Sequence, residues 1–183
     1  MSTPTSVPAL PWLVVIDMQA AFADPASAGA VPGYAPAEKW IRVLTPGFEE
    51  RVVYTRFVPD PAEHGAWGAY YDHWPTMRQP ASSSTWDLTL ETTSAPVVSL
   101  PTFSKWGPGL GDTVGAHTPL VLCGVATDCC VLSTGPGAVD AGRAVTVVED
   151  ACAGVSRRHH EESISLLSLL APMVTITNAR SLM

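Results

Sequence analysis

Six short apolar runs punctuate the chain, at residues 12–17, 51–58, 96–100, 119–124, 145–149 and 173–177. Most are unbroken Val, Leu and Ile rather than alternating with polar residues. That is the pattern of strands buried on both faces of a parallel sheet. Between them lie stretches with helical spacing. Trp40, Ile41 and Leu44 share one face of a helix over 37–45. A short helix is predicted over 110–116 and another over 130–141. The clearest covers 157–170, with apolar residues at 164, 166, 167, 169 and 170. Strand–helix alternation predicts an α/β fold, a doubly wound three-layer sandwich around a mainly parallel six-stranded sheet. A single domain over 12–183 is expected, preceded by a Pro- and Ser/Thr-rich arm, 1–11, read as disordered.

Residues 59–95 break the rhythm. They show no strong strand or helix pattern, yet carry Trp67, Tyr70, Tyr71, Trp74 and Trp86, with His64 and His73. A long irregular stretch in a small domain is usually a functional lid or an interface. The plainer alternative is a surface excursion with a short helix, held down by its own aromatics. A second irregularity is Gly135-Pro136-Gly137, inside the helix expected over 130–141. Proline costs about 3 kcal/mol in a helix interior, so a kink there, or a short helix that restarts, is expected.

In a doubly wound sheet, ligands bind beyond the carboxyl ends of the strands. The residues just after each run therefore matter most. Asp17 ends the first, and Arg56 lies near the end of the second. Arg56 suits a substrate carboxylate or a structural ion pair equally. Lys105 follows the third run and Trp106 follows Lys105. The fourth run leads through Gly124-Val-Ala-Thr-Asp to Cys129-Cys130. A thiol at a helix start meets unsatisfied N–H groups and partial positive charge, which lower its pKa. Each residue also has an ordinary reading: Asp17 as a helix cap, Lys105 as a solvated loop cation, the cysteines as small core residues.

Composition narrows the classes. With 183 residues, the chain is long enough for a real core. It is 46% hydrophobic and 15% charged, too apolar for an extended disordered chain. A net charge of −7, with no basic cluster beyond Arg157-Arg158, argues against nucleic acid and anionic membrane as partners. No apolar run approaches the ~18 residues of a membrane span, and no secretory leader is apparent. Reduced thiols and a cytoplasmic location are expected. The spacing of Cys123, Cys129, Cys130 and Cys152 fits neither a CxxC redox motif nor zinc knuckles. Cys123 and Cys129 read as strand core and bystander, and Cys152 as following the fifth strand.

Taken together, Val15-Ile-Asp17-Met-Gln, Phe103-Ser-Lys105 and Gly124-Val-Ala-Thr-Asp-Cys-Cys130-Val131 resemble the isochorismatase-like cysteine hydrolases, the superfamily of nicotinamidases and N-carbamoylsarcosine amidohydrolase. Residues 141–154 extend the likeness, which covers roughly 12 to 178. The resemblance implies a catalytic triad of Asp17, Lys105 and Cys130. It also implies an oxyanion hole from the N–H groups of Ala126 and Cys130, and a cis peptide at Val125–Ala126. Asp17 would take the thiol proton, and a thioester would form and be hydrolysed. Candidate substrate contacts are Phe22, Arg56, Trp67, Tyr70, Trp74 and Trp106. Nicotinamidases bind a metal through an Asp-x-His pair after their second strand. Here that position reads Thr55-Arg-Phe-Val-Pro-Asp60, and Asp60, His64 and His73 have no familiar ligand spacing. No metal and no cofactor are therefore expected. The expected activity is C–N hydrolysis of a small amide, ureide or lactam by a homo-oligomer, a dimer or tetramer. The alternatives are an isochorismatase-type vinyl-ether hydrolase that uses only the aspartate, and a non-enzymatic thiol or redox module built on Cys129-Cys130.

Overall fold

The computed structural model describes residues 9–92 and 94–183. Most of the expected N-terminal arm, residues 1–8, lies outside the described residues. Each apolar run becomes one strand: β1 (Trp12–Ile16), β2 (Val52–Phe57), β3 (Val97–Leu100), β4 (Leu120–Val125), β5 (Val145–Ala153) and β6 (Val174–Thr177). The helices are α1 (Ala20–Ala23), α2 (Tyr34–Phe48), α3 (Trp67–His73), α4 (Pro108–Val114), α5 (Leu132–Asp140) and α6 (Arg157–Ser168).

The strands form one six-stranded sheet in the order β3-β2-β1-β4-β5-β6. Every pairing is parallel, so the sheet is wholly rather than mainly parallel. Every residue of β4 is buried, and in β1 only Trp12 is partly exposed. Strands buried at successive positions need cover on both faces. α2 packs across β1, β4 and β5, while α6 packs against β5, β6 and α5. Chain order reverses between β1 and β4, which makes their carboxyl ends the topological switch point. No helix among the described residues is long and apolar enough to cross a membrane.

Several boundaries depart from expectation for physical reasons. α2 is longer than 37–45 because both flanking prolines fit inside it. Pro36 sits in the first turn, where its missing N–H costs nothing, and Pro46 near the last. β5 continues to Ala153, so Cys152 lies within that strand and not after it. The polar pair Glu149-Asp150 marks an irregularity there: Leu122 pairs with Val147, but Gly124 pairs with Cys152. Pro136 neither ends nor restarts its helix. α5 runs through it as one segment, preceded by a π-turn over Thr127–Val131. The carbonyl that Pro136 fails to serve belongs to Leu132, at the start of α5.

The described residues of 59–95 form a short helix, α3, and two single 3₁₀ turns, Pro75–Met77 and Ser84–Trp86. Their interior is a separate apolar cluster of Ala21, Phe57, Tyr71, Met77 and Trp86. The excursion is thus sealed by its aromatics packing on Ala21 and Phe57, which lie outside it. Gln19, fully buried, pins it to the sheet. Its amide donates to the carbonyls of Phe57 (3.0 Å) and Trp86 (2.8 Å) and accepts from the Phe57 N–H (2.8 Å).

Gly124 has φ +115°, and a Cβ there would run into the backbone of Ile16 on β1. Only glycine permits this close approach of the two central strands. Gly124→Ala should cost about 3 kcal/mol or more, read as a shift of the urea unfolding midpoint. A Gly142→Ala variant, at positive φ but in open space, should cost only about 1 kcal/mol.

Candidate active site

Asp17 is the first residue after β1. It holds a left-handed φ of +49°, unusual for a non-glycine residue. Thr55 on β2 fixes it there. The Asp17 N–H donates to Thr55 Oγ1 at 3.3 Å, and that hydroxyl donates to Asp17 Oδ1 at 2.6 Å. Lys105 comes from the loop between β3 and α4. Its Nζ lies 3.1 Å from Asp17 Oδ2, with both side chains at 0% exposure. The ammonium also donates to the Thr102 carbonyl at 2.6 Å and sits 5.0 Å above the centroid of the Phe57 ring. A buried ion pair is sustained by satisfying its remaining donors and acceptors, and these contacts do so for Lys105 and for Asp17 Oδ1. Asp17 Oδ2 itself accepts no well-directed hydrogen bond. That leaves it a lone pair for another proton.

β4 delivers the thiol. The Val125–Ala126 peptide is cis, and the π-turn places Cys130 at 4% exposure. The side chain of Cys129 and burial push the Cys130 thiol well above its ordinary range. The Asp17 carboxylate adds to this, and Lys105 opposes it. The lowering expected from a helix start is therefore overturned. Cys130 lies inside the π-turn, out of water and beside an anion. Burial and its neighbours thus favour the protonated thiol beside the Asp17–Lys105 pair.

Thr134 ties the two loops together. Its hydroxyl accepts from the Lys105 N–H (2.8 Å) and donates to the Cys130 carbonyl (2.6 Å). Asp128, in the same π-turn, accepts from the Val155 N–H at 2.9 Å. A Cβ on Gly154 would collide with that carboxylate, so the approach depends on glycine.

The thiol opens into a cavity of about 180 Å³. Phe22, Phe57, Tyr70, Trp74, Met77 and Phe103 supply most of its wall. Ala28, Gly29, Ala126, Cys129, Cys130 and Val155 complete it. Phe22, Tyr70 and Trp74 of the expected substrate contacts are thus brought to the site, with Ala126. Three are not. Arg56 lies on β2 between Thr55, which touches Asp17, and Phe57, which lines the cavity. Strand alternation turns it to the other face, where its Nε donates to Ser99 Oγ at 3.1 Å. Trp67 stands behind the wall, its ring 4.9 Å from Phe103 and 5.7 Å from Phe57. Trp106 points away from its neighbour Lys105 and stacks under the Arg143 guanidinium at 5.2 Å. Cys129 is corrected in the opposite sense: it is no bystander but part of the cavity wall.

Sequence reasoning gave no role to Thr55, Gln19, Phe57, Phe103 or Thr134. The period-2 rule applied to β2 would have exposed Thr55 and Phe57 as a pair on one face. Nothing local marks Thr134, because its partners come from a different loop. Asp60, His64 and His73 do not converge. His64 Nε2 is 3.9 Å from Asp60 Oδ2 on the surface, and His73 packs edge-on against Trp74. Among the described residues no three His, Cys, Asp or Glu side chains are grouped to hold a metal ion.

Comparison with known proteins agrees with this architecture. A cysteine hydrolase from Pseudomonas syringae pv. phaseolicola superposes with a TM-score of 0.78 at 18% identity, covering 97% of this chain and 96% of that one. The pyrazinamidase of Pyrococcus horikoshii, solved in complex with zinc, gives 0.74 at 24% identity, with 92% and 98% covered. N-carbamoylsarcosine amidase from Thermoplasma acidophilum gives 0.74 at 20% identity, with 93% and 96% covered. No curated protein sequence matches this chain. At these identities the structural likeness establishes the fold. The family model for the isochorismatase domain, however, matches residues 11–179, nearly the whole chain, and the protein belongs to the isochorismatase family of hydrolases.

Proposed function

We propose that the protein is a metal-independent cysteine hydrolase that cleaves a C–N bond of a small amide, ureide or lactam through a thioester. The observation that carries this is a neutral, buried thiol beside a buried aspartate whose free oxygen faces a lysine 3.1 Å away. The Cys130 proton passes to Asp17, and the sulfur attacks the substrate carbonyl carbon. The N–H groups of Ala126 and Cys130 receive the oxyanion; donors of this kind are worth about 3 kcal/mol each. As the intermediate collapses, the C–N bond breaks, and protonated Asp17 gives its proton to the leaving nitrogen. Asp17 then takes a proton from water, whose oxygen attacks the thioester. The acid leaves and the thiol regains its proton.

Lys105 supports the thiol route over the vinyl-ether reading. That chemistry asks the aspartate to begin protonated, as a general acid. Here the aspartate is paired with the Lys105 side chain at 3.1 Å, the geometry of a proton acceptor beside the thiol. In the thiol route Asp17 begins ionised and becomes an acid only after taking the proton from Cys130. Among the described residues Asp60, His64 and His73 are not grouped as metal ligands, and the steps above are written without a metal.

Cys130→Ala should lower amine release from an amide panel by about 10³-fold or more, with correct folding checked by circular dichroism. Wild-type protein quenched in turnover should carry the acyl mass on Cys130. Undiminished turnover in Cys130→Ala would favour the aspartate-only reaction.

The raised thiol also makes a prediction with a definite sign. The proton stays on Cys130 below its raised pKa and is lost only as pH climbs through it. Alkylation by iodoacetamide at pH 7.5 should therefore be at least ~10-fold slower than that of a free cysteine with a pKa near 8.5, and should rise steadily with pH. Asp17→Asn removes an anion that holds the proton on and leaves Lys105 to favour the thiolate. Alkylation should accelerate while turnover falls.

Lys105→Met strands a buried carboxylate, so unfolding in urea should show a loss of about 3–5 kcal/mol. Pairing it with Asp17→Asn should recover much of that loss, because the charge left without a partner is then gone.

A further inference from the structure

We infer that the group bound beside the nucleophile is uncharged and apolar, an aromatic or branched aliphatic carboxamide with neither carboxylate nor ammonium substituents; this rests on the hydrolase reading above. The wall of the cavity is five aromatic rings and a methionine, with small residues, Ala28 and Gly29, leaving room between them. Among its lining residues none is Asp, Glu, Lys, Arg or His.

A substrate carboxylate would find no partner there. Arg56 is turned to the other face of β2. Arg143 stacks on Trp106 and donates to the Gly115 carbonyl. Arg78 is held by Glu63 and Asp72 at 2.7 Å each. Lys105 is committed to Asp17, and Asp17 would itself repel an anion. Burying an anion without a partner is heavily disfavoured.

A cation fares no better, although aromatic cages often bind quaternary ammonium groups. The face of Phe57 is already occupied by the Lys105 ammonium at 5.0 Å. A second positive charge in the cavity would meet that ring with its quadrupole engaged and a buried cation behind it. No carboxylate lines the wall to offset this.

The polar groups that remain suit a neutral amide. Tyr70 contributes a hydroxyl whose burial pushes its pKa to about 12, so it stays a neutral donor and acceptor. Cys129 adds a thiol. The cavity, about 180 Å³, is smaller than the ~300–1,000 Å³ of drug-sized sites, so the ligand is small. Trp74, 41% exposed and part of the wall, stands where the cavity meets solvent. It is the residue placed to set the size and polarity of what enters.

The test compares the neutral amides benzamide and isobutyramide against 4-carbamoylbenzoate, succinamate and betaine amide, with 3,3-dimethylbutanamide, the uncharged isostere of betaine amide, as the control for size. In wild-type protein, kcat/KM for the neutral pair should exceed that for each charged amide by about 100-fold. Binding to Cys130→Ala, followed by saturation-transfer NMR and tryptophan fluorescence, should show the same order without any chemistry. Trp74→Ala should raise KM for benzamide by about 10-fold and leave kcat within a factor of about three. A charged amide that binds or turns over as well as benzamide overturns the inference. So does failure of both neutral amides to bind at 10 mM. Preferential binding of the neutral amides without hydrolysis by wild type leaves the inference standing and removes the amidase reading.

Discussion

The contact between Asp17 and Lys105 constrains everything around it. Taking two charges fully out of water costs several kcal/mol per ion. That cost is tolerable only if every other polar partner is in place. Thr55 must bond Oδ1, the Thr102 carbonyl must take an ammonium proton, and Phe57 must present its ring face. These groups come from β2 and from the loop after β3. Asp17 itself follows β1, the strand that pairs with β2 on one side and β4 on the other. The pair can therefore form only when the strand ends on one side of the switch point are in register.

The Cys130 thiol is held to the same standard from the other side. Gly124 lets β4 approach β1 so closely that no side chain fits between them. Thr134 bonds the backbone of both Lys105 and Cys130, so the lysine loop and the π-turn cannot shift independently. Asp128 fastens the loop after β5 to that same turn. Gln19 fastens the aromatic segment to the end of β2. Four separate loops are thus locked around one thiol by hydrogen bonds whose partners are all main-chain groups. Such bonds depend on backbone position and tolerate change in neighbouring side chains.

This explains which features could be read from the sequence. Inner parallel strands buried at successive positions must be nearly continuously apolar, which makes β1, β2 and β4 visible, while the partly exposed edge strands β3 and β6 show only as short β-branched runs. The switch-point rule then selects residues at strand ends, and Asp17, Lys105 and the Cys129-Cys130 pair stand there. Likeness to a known family, not spacing, chose Cys130 between the two thiols. What could not be read depends on contacts between distant segments. The 59–95 segment has little internal periodicity because its order comes from Phe57, Ala21 and Phe103, which lie outside it. Arg56 was misplaced because being near a strand end says nothing about which face a side chain takes. Cys152 was misplaced because a polar pair at a register shift resembles a strand end. The thiol pKa was misjudged because a helix-start argument ignores burial and a neighbouring anion, and here those two dominate.

The apolar cavity and the ion pair are two aspects of one design. In the proposed reaction the Asp17–Lys105 ion pair stands beside a protonated thiol, so the site as a whole carries no net charge. Moving the thiol proton to Asp17 leaves the thiolate as the anion and Lys105 as the cation, and the sum is unchanged. The lysine therefore stabilises whichever partner holds the negative charge, and the transfer needs little outside solvation. That suits a wall made of Phe22, Phe57, Tyr70, Trp74, Met77 and Phe103, which offers little solvation. A charged ligand would break this balance in either direction. A carboxylate would compete with Asp17 and the thiolate for Lys105, and a cation would add to it. On the proposed reaction, the neutrality of the catalytic set and the desolvating aromatic wall would both select for a neutral substrate.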